Sequence, residues 1–242
     1  VVISAVAAAA HVIILVFSKD LGSAVIFFAG YLIMVFIATK NYFYLFAGIL
    51  GGAGASIVAY HMFSHVRTRV IAFLHPWRNI NDSGYQITQS LFAIGTGGWF
   101  GLGIDQGDPT SIPYVEQDFV FSAVAEEMGV IFGICLILVC VSCFIVFMKI
   151  AMQLKEDFYR YIAVGISTIY IFQVFLTIGG GTRFIPLTGV TLPLVSYGGS
   201  SVLTTIIMFS IIQGLYCIQS QEGKRNARKE RRRTADREAG EE

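Results

Sequence analysis

Apolar residues in this chain come in runs too long for one face of a soluble helix, and polar residues collect in the gaps between them. Six runs approach the roughly 20 apolar residues a helix needs to cross a bilayer: about 1–17, 21–39, 43–63, 128–148, 159–178 and 193–218. The pattern predicts an all-α, polytopic integral membrane helical bundle. Residues 1–220 form a single transmembrane domain with a large loop at about 64–120, and 221–242 form a basic tail. The first run opens in mid-hydrophobe at Val1 without a basic leader, so it reads as a span of a chain whose N-terminal part is missing.

Composition sharpens this reading. Of 242 residues 55% are hydrophobic and only 14% charged, against about 25% charged in globular domains, and mean hydropathy is +0.68. An ordinary soluble fold is excluded. The 20 Phe and 5 Pro exclude disorder, and the 4 Cys all lie inside apolar runs, which excludes a disulfide scaffold. Lys224, Arg225, Arg228, Lys229, Arg231, Arg232, Arg233 and Arg237 follow the last run directly, and the positive-inside rule places that end in the cytoplasm. Counting back puts the turns at Lys40 and Lys149 to Arg160 inside. The Lys19 turn, the long 64–117 stretch and the 179–192 loop fall outside. Glu230, Asp236 and Glu238 interrupt the basic run, which suits attraction to anionic membrane lipids better than a nucleic-acid arm.

Polar groups at membrane depth are costly and therefore candidates for function. Continued helical spacing would set Asp118, Ser122 and Glu126 on one stripe about 12 Å long, with Asp118 near the mouth of an outward cavity. Helix capping is the alternative role, above all for Glu116. Arg67, Arg69, Arg78, Lys19 and Arg183 supply cations on the same face, as partners for an anionic headgroup or as interfacial anchors. The 84–107 segment, too polar to span, is expected along the outer interface. Pro193 to Ser201 reads as an unwound helix end for a ligand, or as small-residue packing.

Several short motifs then occur in a fixed order: Asp20-Leu21-Gly22-Ser23-Ala24; Arg69-Val70 with Phe73-Leu74 and Pro76-Trp77; Gly84-Tyr85-Gln86 with Gln89-Ser90; Gly97-Gly98 with Gly101 and Gly103; Asp118-Phe119-Val120-Phe121 with Glu126-Glu127 and Gly129; and Pro186, Gly189, Pro193 with Ser196-Tyr197-Gly198-Gly199-Ser200. In these the chain, up to about residue 220, resembles the SEDS proteins, the FtsW/RodA/SpoVE group of bacterial cell-wall polymerases. Ser18-Lys19, Thr177 and Thr191 depart from the family pattern and leave the subtype open among division, elongation and sporulation.

The resemblance implies the SEDS fold of about ten spans, of which this chain carries the C-terminal six. It implies a peptidoglycan glycosyltransferase that polymerises lipid II at the outer face of the bacterial cytoplasmic membrane. The family's essential carboxylate falls on Asp118, as general base for the acceptor hydroxyl or as a metal ligand. Arg69, Arg67 or a divalent cation (Mg or Mn) held at Asp118 would stabilise the departing pyrophosphate. Gln89, Ser90, Glu126, Ser196 and Ser200 are candidate substrate-binding residues. No organic cofactor and no nucleic acid are expected. The implied partners are lipid II, membrane lipids and a class B penicillin-binding protein, a transpeptidase. A lipid II flippase and a non-catalytic scaffold that recruits the transpeptidase are the alternatives.

Overall fold

A computed structural model describes residues 2–238, with side chains described for 3–221. The basic side chains from Lys224 to Arg237 lie outside that range. The described residues form eight α-helices and no strand: α1 (Val2–Phe17), α2 (Leu21–Thr39), α3 (Tyr42–Met62), α4 (Ser64–Leu74), α5 (Tyr85–Gly97), α6 (Val120–Gln153), α7 (Asp157–Gly181) and α8 (Gly199–Glu238). Short 3₁₀ turns at Pro76–Asn79 and Pro109–Ser111 interrupt the long loop.

Among the described residues, five helices are long and apolar enough to cross a membrane: α2, α3, α6, α7 and the Gly199–Gln221 part of α8. The all-α membrane bundle read from the sequence is therefore the fold. At 16 residues, α1 falls short of the usual span of about 20 residues. Side-chain caps mark two of the starts. Asp20 accepts from the N–H of Ser23 at 3.0 Å and Asn41 from that of Phe43 at 2.9 Å, so each turn ends on a residue that satisfies an open helix N-terminus.

The packed centre lies between α6, α7 and α8. Phe147, Tyr170 and Phe209, one from each helix, interlock edge to face with centroids 4.9 to 5.8 Å apart. Val174 and Leu192 extend the same core. In contrast, α3 has no buried residue.

Two boundaries differ from the sequence expectation. The last span starts at Gly199 rather than 193. Leu194 adopts a left-handed φ of 61° and the Ser196 hydroxyl takes the Leu192 N–H at 2.8 Å, so 182–198 is an ordered, non-helical loop. The fourth span starts earlier, at Val120, and is broken at Gly129 (φ 86°, ψ 168°). Loop 98–103 crosses that break and pairs with it. The N–H groups of Leu102 and Gly103 donate to the carbonyls of Glu126 and Glu127, and those of Val130 and Ile131 to Gly98 and Trp99, at 2.9 to 3.3 Å. A broken helix in a membrane bundle is sustained where protein satisfies the freed backbone groups, and this loop does so at Gly129.

The 64–117 stretch is also more ordered than a surface loop. In it α5 buries Ile87, Thr88, Ser90, Ala93 and Gly97 and packs along α6. It is a structural helix of the bundle as well as a candidate interfacial one.

Candidate functional site

Asp118 sits in the short connection before α6 and is half-buried. Burial pushes its carboxyl above the usual carboxylate range, and Glu116 adds to this; its own backbone N–H and the Arg69 guanidinium pull the other way. Arg69 reaches this place from α4. Its Nη1 donates to the carbonyls of Leu187 at 3.3 Å and Thr188 at 2.8 Å. Gly189, the next residue, lies between the two charges. A Cβ built there would stand 3.6 Å from Arg69 Nη2 and 3.9 Å from Asp118 Oδ2. With φ +76° the position is a left-handed one that glycine tolerates and other residues seldom do. Asp118 and Arg69 are neighbours without a direct ion pair; the one ion pair among the described residues is Arg160 with Asp157.

The loop that carries Gly189 is held from three sides. Arg183 Nε donates to Phe73 O at 3.1 Å, tying it to α4. From α7, Gln173 Nε2 donates to Thr191 O at 3.0 Å and the Thr177 hydroxyl to Val190 O at 2.8 Å. The Tyr197 N–H donates to Glu116 O at 2.7 Å, which links the loop to the segment that presents Asp118. These ties leave an open cavity of about 610 Å³ behind Gly189, walled by α1, α2, α7 and the start of α8. Asp20, Ser23, Gln117, Gln173, Ser200 and Thr204 are among its polar walls.

The expected residues divide accordingly. Asp118 and Arg69 are together, and Ser200 lines the adjoining cavity. Ser196 supports the loop from within and is buried. Arg67 stands apart: it lies 5.7 Å from the Tyr60 ring centroid and 3.5 Å from His61 O. Residues two apart on a helix do not face the same way, so Arg67 and Arg69 cannot both meet Asp118 from α4. Ser90 is fully buried. Its hydroxyl contacts Ser122 at 2.6 Å and Gly181 O at 2.7 Å, a tie between α5, α6 and α7 rather than a ligand contact. Gln89, beside it, is half-buried on α5.

The stripe of Asp118, Ser122 and Glu126 does not line one cavity. Ser122 and Glu126 do share a helix face, but that face is buried, against α5 and the 98–108 loop. Asp118 precedes the helix, and Phe119 at φ −114°, ψ 14° turns it off the helical path. Glu126 is 7% exposed. Its Oε1 accepts from Asp108 N at 3.3 Å, and its Oε2 has no partner among the described residues.

Missed in the sequence were Asp20, Ser23, Gln117 and Gln173 as cavity walls, together with Thr204 and Thr205, which extend the expected Ser200 and its neighbour into the hydroxyl face Ser200, Ser201, Thr204, Thr205. That last set repeats at i, i+1, i+4, i+5, one face of a helix, and this spacing was a usable signal. Among the described residues no group of three or more His, Cys, Asp or Glu is placed to hold a metal ion. Asp118 offers one carboxylate with a guanidinium close by, which is not a protein-built cation cage.

Comparison with known proteins identifies the family. The FtsW/RodA/SpoVE family model, described as cell cycle protein, matches residues 1–221. The chain is 38% identical over 200 residues to the peptidoglycan glycosyltransferase RodA of Mycobacterium tuberculosis (strain ATCC 25618 / H37Rv), covering 82% of this chain and 42% of that protein. It is 36% identical over 205 residues to the probable peptidoglycan glycosyltransferase FtsW of Aliivibrio salmonicida, covering 82% and 51%. It is 34% identical over 199 residues to the stage V sporulation protein E of Bacillus subtilis (strain 168), covering 81% and 54%. The chain thus spans about half the length of the curated relatives it matches. A solved structure described as "Structural coordination of polymerization and crosslinking by a peptidoglycan synthase complex" superposes with a TM-score of 0.74 at 25% identity, covering 90% of this chain and 61% of that one.

Proposed function

Since the chain belongs to the FtsW/RodA/SpoVE family, we propose that it forms the Asp118-bearing part of a peptidoglycan glycosyltransferase that polymerises lipid II. The relatives named as peptidoglycan glycosyltransferases support this reading. The observation that carries it is the arrangement around Gly189: one half-buried carboxylate, one guanidinium and a polar cavity meet at one backbone position.

In the proposed reaction Asp118 takes the proton of the acceptor sugar's hydroxyl as that oxygen attacks the donor's anomeric carbon. The bond from that carbon to the lipid pyrophosphate breaks with inversion, and the pyrophosphate leaves as an anion. An anionic leaving group needs no proton donor, so the second carboxylate that glycoside hydrolases use has no task here. Arg69 Nη2 is the nearby cationic group that can stabilise the developing charge. Burial suits Asp118 to this role, because a carboxylate with raised proton affinity is a stronger base. A divalent cation would be held by Asp118 together with the substrate's own phosphates and water, the usual manner of Mg²⁺, and would add further charge stabilisation there.

The positive-inside rule supports a cytoplasmic C-terminus, and with it the reading that Asp118 faces the outer side of the bacterial cytoplasmic membrane. The structural neighbour, described as joining polymerization and crosslinking in one complex, supports a class B penicillin-binding protein as partner. The test is lipid II polymerisation by the full-length protein with its transpeptidase partner, with and without a metal chelator. Wild type is expected to make polymer and Asp118→Asn to lose about 10²–10⁴-fold in rate. Unchanged polymer from the variant would remove Asp118 from the mechanism. Absence of polymer from both, with transbilayer movement of lipid II intact, would replace the enzyme by a flippase.

A further inference from the structure

A lipid-linked sugar polymerase must hold two substrates of opposite electrostatic character: a donor whose pyrophosphate is leaving, and an acceptor that presents a neutral sugar hydroxyl. The cavity behind Gly189 is selective between them. Among the described residues that line it there is no Lys, Arg or His. Its one charged wall is Asp20, an exposed carboxylate, whose negative charge disfavours a pyrophosphate beside it. The remaining polar walls are hydroxyls and amides. Of these the side chains of Gln117, Ser23 and Ser200 have no hydrogen-bond partner among the described residues, and Asp20 spends one oxygen on the Ser23 N–H. At about 610 Å³ the space lies in the range of about 300–1,000 Å³ typical of small-ligand sites. Neutral donors and acceptors on several walls, with Phe27 and Tyr197 for the sugar's apolar face, match a polyhydroxylated ring.

The guanidinium nearest Gly189, that of Arg69, is not among the residues that line the cavity. Arg69 Nη1 is committed to the Leu187 and Thr188 carbonyls, while Nη2 points at Gly189. Resting on the glycosyltransferase reading above, we infer that the cavity is the acceptor-sugar subsite, and that the donor's pyrophosphate lies outside it, on the Arg69 side of Gly189. Asp118 then stands at the boundary, where an acceptor hydroxyl emerging from the cavity meets the donor's anomeric carbon. The absence of a side chain at 189 keeps that passage open.

Two probes separate the subsites in the full-length protein with its partner: a neutral N-acetylglucosamine oligosaccharide and a polyprenyl pyrophosphate that carries no sugar. The double variant Gln117→Ala, Ser200→Val is expected to bind the oligosaccharide at least tenfold more weakly and the polyprenyl pyrophosphate as wild type does. Arg69→Gln is expected to do the reverse. Retained binding of one probe also shows that each variant is folded. Thr204→Lys, which adds a cation to the cavity, is expected to weaken the oligosaccharide without tightening the pyrophosphate. The assignment is overturned if the cavity variants lose the pyrophosphate, if Thr204→Lys tightens it, or if wild type does not bind the oligosaccharide. Failure of the glycosyltransferase reading is a separate result, read as no polymer from wild type.

Discussion

Gly129→Ala is the substitution whose cost this structure defines best. Gly129 stands at φ 86°, ψ 168°, a region that is essentially glycine's alone, and holding another residue there costs about 1–3 kcal/mol. An added Cβ would also collide with Trp99 O, Gly101 N and Phe100 C, all backbone atoms. They cannot step back freely, because the hydrogen bonds across the break fix loop 98–103 to both halves of α6. Loss of two of those bonds adds about 1–3 kcal/mol at about 0.5–1.5 each. The sum, about 2–6 kcal/mol, rivals the entire stability of about 5–15 kcal/mol of an ordinary domain.

Gly54→Ala is the internal control, since a Cβ there meets nothing within 4 Å and alanine favours a helix by up to about 1 kcal/mol. The assay is thermal unfolding of both variants in the same detergent, with polymerisation measured alongside. Gly129→Ala is expected to unfold well below wild type and to lose activity, because the half-helix that begins just after Asp118 is displaced. Gly54→Ala is expected to match wild type or exceed it. Equal midpoints for the two variants would refute the claim that loop 98–103 and the break at Gly129 form one fixed unit.

Other perturbations test the site. Burial raises the proton affinity of Asp118 in the folded protein, so the folded state holds that proton more tightly than the unfolded one, and stability falls as pH rises through the raised value. Asp118→Asn is therefore expected to melt at a higher temperature than wild type near neutral pH while losing polymerisation; a lower midpoint would contradict the burial argument. In the proposed reaction Asp118 acts ionised, so activity is expected to fall as pH is lowered through the same value. Arg69→Gln, which removes a group that favours the ionised form, is expected to move that limb to higher pH in a rate profile. Ser122→Ala leaves the buried Ser90 hydroxyl with one partner fewer, which should cost about 1–3 kcal/mol of stability with no change in KM. Arg67→Ala is expected to leave the polymerisation rate within about twofold, because the guanidinium packs on Tyr60 away from Asp118; a large loss would return Arg67 to the site.

Much of this protein was legible in the order of its residues. Runs of apolar side chains declare spans one residue at a time, because the bilayer is a uniform solvent that each side chain meets separately. The same holds for Asp118 as a candidate, a carboxylate conspicuous beside an apolar run. The fold class and the order of the apolar spans therefore followed from the sequence, and Asp118 stood out in it as a candidate.

What surrounds Asp118 did not. Helical spacing set Ser122 and Glu126 on one face correctly, yet whether that face met an open cavity or a packed neighbour depended on α5 and loop 98–103, which lie 20 or more residues away in the chain. Arg69 and Gly189 are 120 positions apart, and nothing local to either marks their meeting. Ser90 and Arg67 show the same limit, one taken up by a three-helix tie and the other turned to the opposite side of α4. Local sequence determines what each segment can become in lipid. Which polar groups end up satisfied by one another, and which are left facing a cavity, is decided by contacts between distant segments, and so only by the tertiary structure.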